Sequence, residues 1–179
     1  MRVQIGLFLC GGALVMSMSG CGYSLAGRGT FLPAYIKTVG VPTFQNHTTV
    51  FNLETLMTQK VRSEFIGRGK YQILPQESGV DAVLSGDITT VQVVPATLNA
   101  AQLASRYVIV MAANIQFKDL KDNKVLWENP NVVFREEYDA NGAATGVDPN
   151  AFFGQEANAL DRVSTEFART IVSSILEAF

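Results

Sequence analysis

A clear alternation between Arg106 and Lys118 constrains the fold of this chain more than any other feature, although Val108, Val110 and Ala112 make both sides apolar near its start. The apolar positions on one side of this segment are Tyr107, Ile109, Met111, Ala113, Ile115 and Phe117. Because successive side chains of a strand point to opposite faces, the pattern predicts a long, half-buried β-strand. Asp122 and Asn123 predict a turn after it, and 125–138 predicts the hairpin partner, interrupted at 129–131.

Three other segments are predicted to be extended. A short strand is expected over 35–41 and a shorter piece over 71–74, each followed by a proline. A long strand is expected over 81–94 and should end at Pro95. Gly86 inside this strand indicates either a bulge or a close approach of another group.

Two segments have the spacing of amphipathic helices. The first is predicted over 50–67, with Gly67 and Gly69 at its end. The second is predicted over 151–178, with Asn150 as its N-cap. Its apolar stripe consists of Leu160, Val163, Phe167, Ile171 and Ile175.

The predicted order of elements is therefore β-α-β-β-β-α. Two amphipathic helices need a surface to bury their apolar stripes, and an alternating sheet supplies it. We expect an α+β fold, a two-layer sandwich in which a mixed four-stranded sheet carries both helices on one face. Val93, Val108 and Val110 should lie on the other face, either as the apolar centre of a broad sheet or as an interaction surface.

The N-terminus has the features of a bacterial lipoprotein signal. Arg2 is followed by an uncharged, apolar stretch that is too short to span a bilayer, and Ser19 and Gly20 directly precede Cys21. An ordinary signal peptide or an anchor helix is the alternative. We expect a signal peptide over 1–20, lipidation of Cys21, a lipid-anchored lead over 21–34 and one domain over 35–179. Gly22, rather than Asp, follows the cysteine and favours the outer membrane, with the domain on its periplasmic side.

Composition excludes several function classes. The chain has 14 basic and 16 acidic residues, and removal of Arg2 with the signal leaves a formal charge of −3. This balance argues against a general nucleic-acid binder and against a polybasic membrane binder. The only other cysteine, Cys10, would leave with the signal peptide, so neither a disulfide nor a thiolate metal site is expected.

No residue pattern indicates catalysis. The single histidine, His47, lies in a polar loop, and no nucleophile elbow, phosphate-binding loop or dinucleotide fingerprint occurs. Glu136 and Glu137 should point to opposite faces of a strand, while Asp81 and Asp87 should lie roughly 20 Å apart along one. We therefore expect neither enzymatic activity nor a cofactor nor a metal.

A cationic set surrounds the predicted hairpin, namely Arg106, Lys118, Lys121, Lys124 and Arg135. Such side chains at strand ends commonly serve solubility. They would also suit the anionic headgroup of a lipid.

The chain resembles the lipopolysaccharide-assembly lipoprotein family (LptE) in several short motifs. The opening Cys-Gly-Tyr-Ser-Leu-Ala-Gly at 21–27 matches the family at Cys21, Gly22, Tyr23, Leu25 and Gly27. Similar pieces are Val-Gly-Val-Pro-Thr-Phe-Gln-Asn at 39–46, the helix end at 65–71, and the hairpin arms at 124–128 and 134–138. Together they cover nearly the whole mature chain.

The resemblance implies a two-helix, four-stranded sandwich anchored in the outer membrane. Such proteins sit as a plug inside a large β-barrel, the LptD-like lipopolysaccharide translocon, and assist its assembly and the passage of lipopolysaccharide to the cell surface. A basic patch in the family is associated with lipopolysaccharide binding. Arg106 and Lys118 are candidates for that role here by chemistry alone.

Two other functions are compatible with the sequence. One is an outer-membrane lipoprotein that activates a periplasmic cell-wall synthase, but only about a dozen residues, reaching roughly 40 Å, separate Cys21 from the first strand. That short reach favours a partner in the same membrane. The other is a lipid carrier or hydrolase, which would need an acyl-sized cavity.

Overall fold

The predicted long hairpin forms the centre of the fold. The computed structural model describes residues 32–68, 70–98, 104–139 and 149–178, without the side chains of 149–155. The predicted signal peptide, Cys21 and most of the lead lie outside these residues. The elements are β1 (Thr38–Gly40), β2 (Gln45–Asn46), α1 (Leu53–Gly67), β3 (Gln72–Leu74), β4 (Ala82–Leu98), β5 (Ala104–Asp119), β6 (Lys124–Asp139) and α2 (Pro149–Glu177).

The sheet is mixed, and this part of the fold prediction is confirmed. Its strand order is β3-β1-β4-β5-β6, and β2 pairs separately with β4. β1 is parallel to β3 and β4, whereas β4, β5 and β6 are antiparallel. The predicted number of four strands is wrong, because six are paired. β2 is not predicted from the sequence, because its two residues are too few for an alternation to be visible.

Both helices cover the same face of the sheet, so the two-layer prediction is confirmed. The alternating positions of β5 that were predicted to be apolar, from Ile109 to Phe117, are at most 1% exposed. Most of them share one buried cluster with Met57 and Phe65 of α1 and Phe167 of α2. The neighbouring positions of β5 are half-buried or exposed, so the opposite face of the sheet carries no second layer among the described residues.

The helices begin elsewhere than the sequence predicts. α1 begins at Leu53, because Asn52 adopts a left-handed conformation with φ 60° that a helix cannot continue through. α2 begins at Pro149, whose fixed φ suits the first helical position. Asn150 therefore lies inside α2, and its prediction as the N-cap is wrong. Within the described residues, neither helix is long and apolar enough to cross a membrane.

β4 continues through Pro95, and the predicted end of this strand is wrong. The register skips Thr89 between Ile88 and Thr90, so a bulge reverses the faces of the residues that follow. Val93 consequently pairs with Ile109 on the helix side, which corrects its predicted place on the open face. Pro95 is tolerated because the distal part of β4 is an edge, where a missing N–H breaks no ladder.

Other side chains pack closely against Gly86, and the bulge of β4 lies at Thr89 instead. A Cβ atom at Gly86 would lie 2.8 Å from Ile115 Cδ1 and 3.0 Å from Phe44 Cδ2. Gly86 therefore lets the Phe44 ring pack directly on the backbone of β4, beneath the helices.

The interruption predicted at 129–131 is a second bulge and does not end β6. The register passes from Val132 to Asn129 while β5 passes from Ala113 to Ile115, so β6 has an extra residue here. The side-chain oxygen of Asn129 accepts a hydrogen bond of 3.0 Å from the backbone N–H of Asn131. Because β6 is an outer strand of the sheet, it accommodates Pro130 without loss of ladder hydrogen bonds.

Candidate interaction surface

The face of the sheet that lies away from the helices carries a strip of small apolar side chains. We call it the open-face strip and define it as Val94, Val108, Val110, Ala112 and Val133. Val94 pairs with Val108, and Val133 pairs with Ala112, so the register brings the strip together across three strands. Val94 is 40% and Val133 is 39% exposed, and the three residues of β5 are half-buried. β-Branched side chains favour strands locally, so the residues that form this sheet also make its outer face apolar.

Charged side chains border this strip on β6. Arg135 pairs in register with Val110, and Glu137 pairs with Val108. Both are exposed. The surface therefore combines an apolar centre with a mixed charged margin, as protein interfaces commonly do.

Arg106 lies at the far end of this face and is already engaged. Its Nη1 lies 3.3 Å from Glu137 Oε2, and its Nε lies 3.3 Å from Asp139 Oδ1. Together with Tyr138 these residues line a surface depression of about 230 Å³. The pairs are half exposed, so each contributes well under ~1 kcal/mol and yields readily to a competing anion.

Lys118 lies near the opposite end of the same strand. It lies twelve positions after Arg106, which is roughly 40 Å along an extended strand. The structure therefore does not bring the two predicted lipopolysaccharide contacts together. Lys118 has no ion-pair partner among the described residues, and its neighbours in register are Val83 and Val125.

The other cations of the predicted set divide between these two ends. Arg135 lies on β6 beside the open-face strip, whereas Lys121 and Lys124 belong to the β5–β6 turn with Lys118. The Lys121 ammonium lies 4.5 Å from the centre of the Tyr35 ring, which is within the range of a cation–π contact. The five cations that the sequence suggests as one set therefore form two groups that lie apart in the structure.

A buried carboxylate at the β5–β6 turn was missed by the sequence analysis. Asp119 is 1% exposed, accepts a hydrogen bond from the Tyr35 hydroxyl, and accepts another of 2.8 Å from the backbone N–H of Lys121. Burial opposes ionisation of Asp119, but these hydrogen bonds outweigh it and hold the pKa of this carboxyl below its ordinary value. The hydrogen bond to Asp119 raises the pKa of Tyr35 to about 12. The hydrogen bond between Tyr35 and Asp119, which we call the Tyr35–Asp119 pin, therefore connects the segment before β1 to the β5–β6 turn.

Glu136 and Glu137 point to opposite faces of the sheet, as predicted, and they and Asp81 make contacts within the fold. Glu136 binds Arg162 of α2 on the helix side, whereas Glu137 binds Arg106 on the open side. Asp81 accepts hydrogen bonds from the backbone N–H groups of Lys37 and Thr38, which lower its pKa. No two of these carboxylates converge on a common point, so the arrangement offers no acid–base couple.

A backbone hydrogen bond holds the single histidine, His47, beside β4. The N–H of His47 donates a hydrogen bond of 2.9 Å to the carbonyl of Ile88, and its side chain is exposed. Within the described ranges, no three His, Cys, Asp or Glu side chains are grouped so as to hold a metal ion.

Several solved structures share this fold. A hypothetical protein from Chlamydia trachomatis has a TM-score of 0.53 at 10% identity, covering 79% of this chain and 96% of that chain. PelC from Paraburkholderia phytofirmans, solved as a dodecamer, has a TM-score of 0.52 at 12% identity, covering 78% and 89%. A minor lipoprotein from Acinetobacter baumannii has a TM-score of 0.50 at 17% identity, covering 80% and 93%. At these identities the likeness concerns the fold alone.

Comparison with curated proteins finds no match. The family model for LptE, described as lipopolysaccharide-assembly, matches residues 36–175. This range includes β1 to β6 and α1 entirely, and all of α2 except its last two residues. It confirms the resemblance seen in the short motifs. The chain belongs to the LptE family of lipopolysaccharide-assembly proteins.

Proposed function

We propose that this protein is an outer-membrane lipoprotein that acts as a plug and assembly factor for a β-barrel lipopolysaccharide translocon of the LptD type. In this role it aids the insertion of lipopolysaccharide at the cell surface. The observation that carries the proposal is the family match over 36–175. The chain has no catalytic part in this process and acts through binding.

The open-face strip supports a role in binding a large protein. Its five small apolar side chains lie side by side on a sheet face that has no second layer in the described part of the chain. Contiguous exposed apolar surface of this kind marks interaction sites in soluble domains. We propose that the strip contacts the barrel.

The two candidate cations would act separately in this proposal. Arg106 would exchange its exposed acidic partners for a phosphate of lipopolysaccharide, and Lys118 would meet such a group only at the other end of the sheet. A charge-assisted bond to phosphate is stronger than the half-exposed pairs it would replace. Their separation favours contacts with an extended ligand over a single headgroup site.

The attachment would come from Cys21. We propose that a signal peptide over 1–20 is removed, that Cys21 is acylated, and that residues 21–34 lead into a single domain over 35–179. Several acyl chains together anchor a protein stably, whereas one chain does so only marginally. The buried Leu32 lies 11 positions after Cys21, a span of at most about 40 Å, which keeps the domain close to its membrane.

Depletion of the protein in its native cells tests this function. Depletion should lower surface lipopolysaccharide and the amount of assembled translocon barrel, and the intact gene should restore both. Val133→Asp, in the open-face strip, should restore them poorly, since it places a charge in the proposed contact. Ile66→Asp is the matched control, because Ile66 is also an exposed apolar residue but lies on α1. Normal surface lipopolysaccharide with a defect in cell-wall synthesis would contradict the proposal and favour the synthase activator.

A further inference from the structure

Four lysines lie together at one end of the sandwich. We call this the lysine end and define it by Lys37, Lys118, Lys121 and Lys124. Lys118 and Lys124 flank the β5–β6 turn that contains Lys121. Asp81 connects Lys37 to this turn, since its side chain accepts from the N–H of Lys37 and its carbonyl accepts from the N–H of Leu120.

None of these four lysines forms an ion pair with a described residue. The ion pairs of Lys60, Arg68, Arg106 and Arg162 involve none of the four. The Lys121 ammonium faces the Tyr35 ring instead. The lysine end therefore presents cationic charge that the protein does not neutralise by contact.

The carboxylates at this end are largely turned inward. Asp119 is 1% exposed and is bonded to the Tyr35 hydroxyl and the backbone of the turn. One oxygen of Asp81 accepts three hydrogen bonds, from two backbone N–H groups and the Thr38 hydroxyl. Asp122 is exposed, so the lysines outnumber the carboxylates that face solvent here.

Exposed apolar side chains lie among the lysines. The side chains of Tyr35, Leu120 and Val125 are 37%, 38% and 37% exposed. A surface that combines unpaired ammonium groups with projecting apolar side chains suits the interface of a bilayer, where headgroup phosphates meet acyl chains.

The chain enters the folded domain at this same end. Leu32 and Ile36 are 4% and 3% exposed and lie in the main core, and Tyr35 between them is pinned to Asp119. Leu32, the first residue that the structure describes, therefore lies near the lysine end. A lipid on Cys21, 11 residues earlier, would hold this end within about 40 Å of the bilayer.

We propose that the lysine end lies on the membrane that holds the acyl anchor and binds the headgroups of anionic phospholipids there. The inference rests on the lipidation of Cys21 but not on the barrel. The acyl anchor would strengthen the binding of these lysines to headgroups, because it keeps them within the distance over which the surface potential of an anionic membrane acts.

Amine labelling of the acylated protein in vesicles tests this proposal. The full mature protein is inserted into vesicles of phosphatidylcholine alone or with a quarter phosphatidylglycerol, and each lysine is followed by mass spectrometry after brief acetylation. The four lysines of the lysine end should react about fivefold more slowly in the anionic vesicles, which corresponds to roughly 1 kcal/mol per lysine near the surface. Lys60, which pairs with Asp161 of α2, should react equally in both, and high salt should abolish the difference.

Charge reversal and a soluble anion complete the test. Lys121→Glu should reduce the protection of Lys37 and Lys118, whereas Arg169→Glu, an exposed cation on α2, should leave it unchanged. Equal labelling in the two kinds of vesicle would overturn the proposal. Equal protection by inorganic phosphate in neutral vesicles would also overturn it, because it would indicate a site for small anions. The assay contains no barrel, so a failure of the proposed translocon role would leave its result unaffected.

Discussion

Phe167 offers the most direct test of the packing between α2 and the sheet. Its side chain is fully buried, with ring centroids 6.4 Å from Phe44 and 5.4 Å from Phe134, both nearly edge-to-face. Replacing a buried phenylalanine by alanine costs about 3–5 kcal/mol through lost transfer free energy and the cavity left behind. Two aromatic contacts of roughly 0.5–1.5 kcal/mol each are also lost, and rings fixed on neighbouring elements limit collapse of the cavity. We therefore expect a loss of about 4–5 kcal/mol from Phe167→Ala.

Urea unfolding and thermal melting of the two proteins measure this loss. For a domain of this size it corresponds to a fall in Tm of about 10–15 °C. Phe51→Ala is the matched control, because Phe51 is 87% exposed and its truncation should change the free energy of unfolding by less than about 0.5 kcal/mol. Equal effects of the two substitutions, or an unchanged Tm for Phe167→Ala, would refute the placement of α2 against the sheet.

Three further predictions concern the proposed lipid on Cys21, the hydrogen bond between Tyr35 and Asp119, and the packing of Phe44 on Gly86. Cys21→Ala should remove the protein from the outer-membrane fraction without lowering its Tm, since Cys21 precedes the buried Leu32 by 11 residues; unchanged fractionation would contradict the anchor. Because the folded pKa of Asp119 is depressed, its ionisation stabilises the fold above the unfolded pKa of about 3.9 and this contribution is lost as pH falls through the folded value. The Tm difference between the wild type and Asp119→Asn should therefore be constant near neutral pH and shrink below about pH 4; a difference independent of pH would refute the pin. Gly86→Ala should lower the free energy of unfolding by about 1–3 kcal/mol in urea titrations, since its Cβ would meet Phe44 and Ile115, and an unchanged midpoint would show that the ring does not pack there.

The sequence predicts those parts of the fold whose periodicity extends over many residues. The alternation of β5 and the stripe of α2 each repeat over several turns or strand pairs, so their buried faces could be identified from spacing alone. The extra residue at Thr89 could not, because a bulge leaves the composition of a strand unchanged while reversing its faces. Val93 was misplaced for this reason.

The candidate surface was only partly accessible from sequence. The cations around the hairpin were recognised, but which of them lie together depends on the register, and the register separates Arg106 from Lys118. The Tyr35–Asp119 pin joins residues 84 positions apart, and no local pattern reports such a contact. The grouping of Lys37 with Lys118, Lys121 and Lys124 could not be predicted either, because it depends on how β1, the β5–β6 turn and Asp81 lie beside one another.

Photocrosslinking from the open-face strip in intact cells tests the central claim most directly. A photoreactive amino acid at Val133, which is 39% exposed, reports whichever protein covers this face in the envelope. We predict a covalent adduct with an outer-membrane β-barrel protein after irradiation and none in unirradiated cells. Adducts with cell-wall enzymes only, or no adduct with a barrel, would contradict the account of this protein as the partner of a lipopolysaccharide translocon.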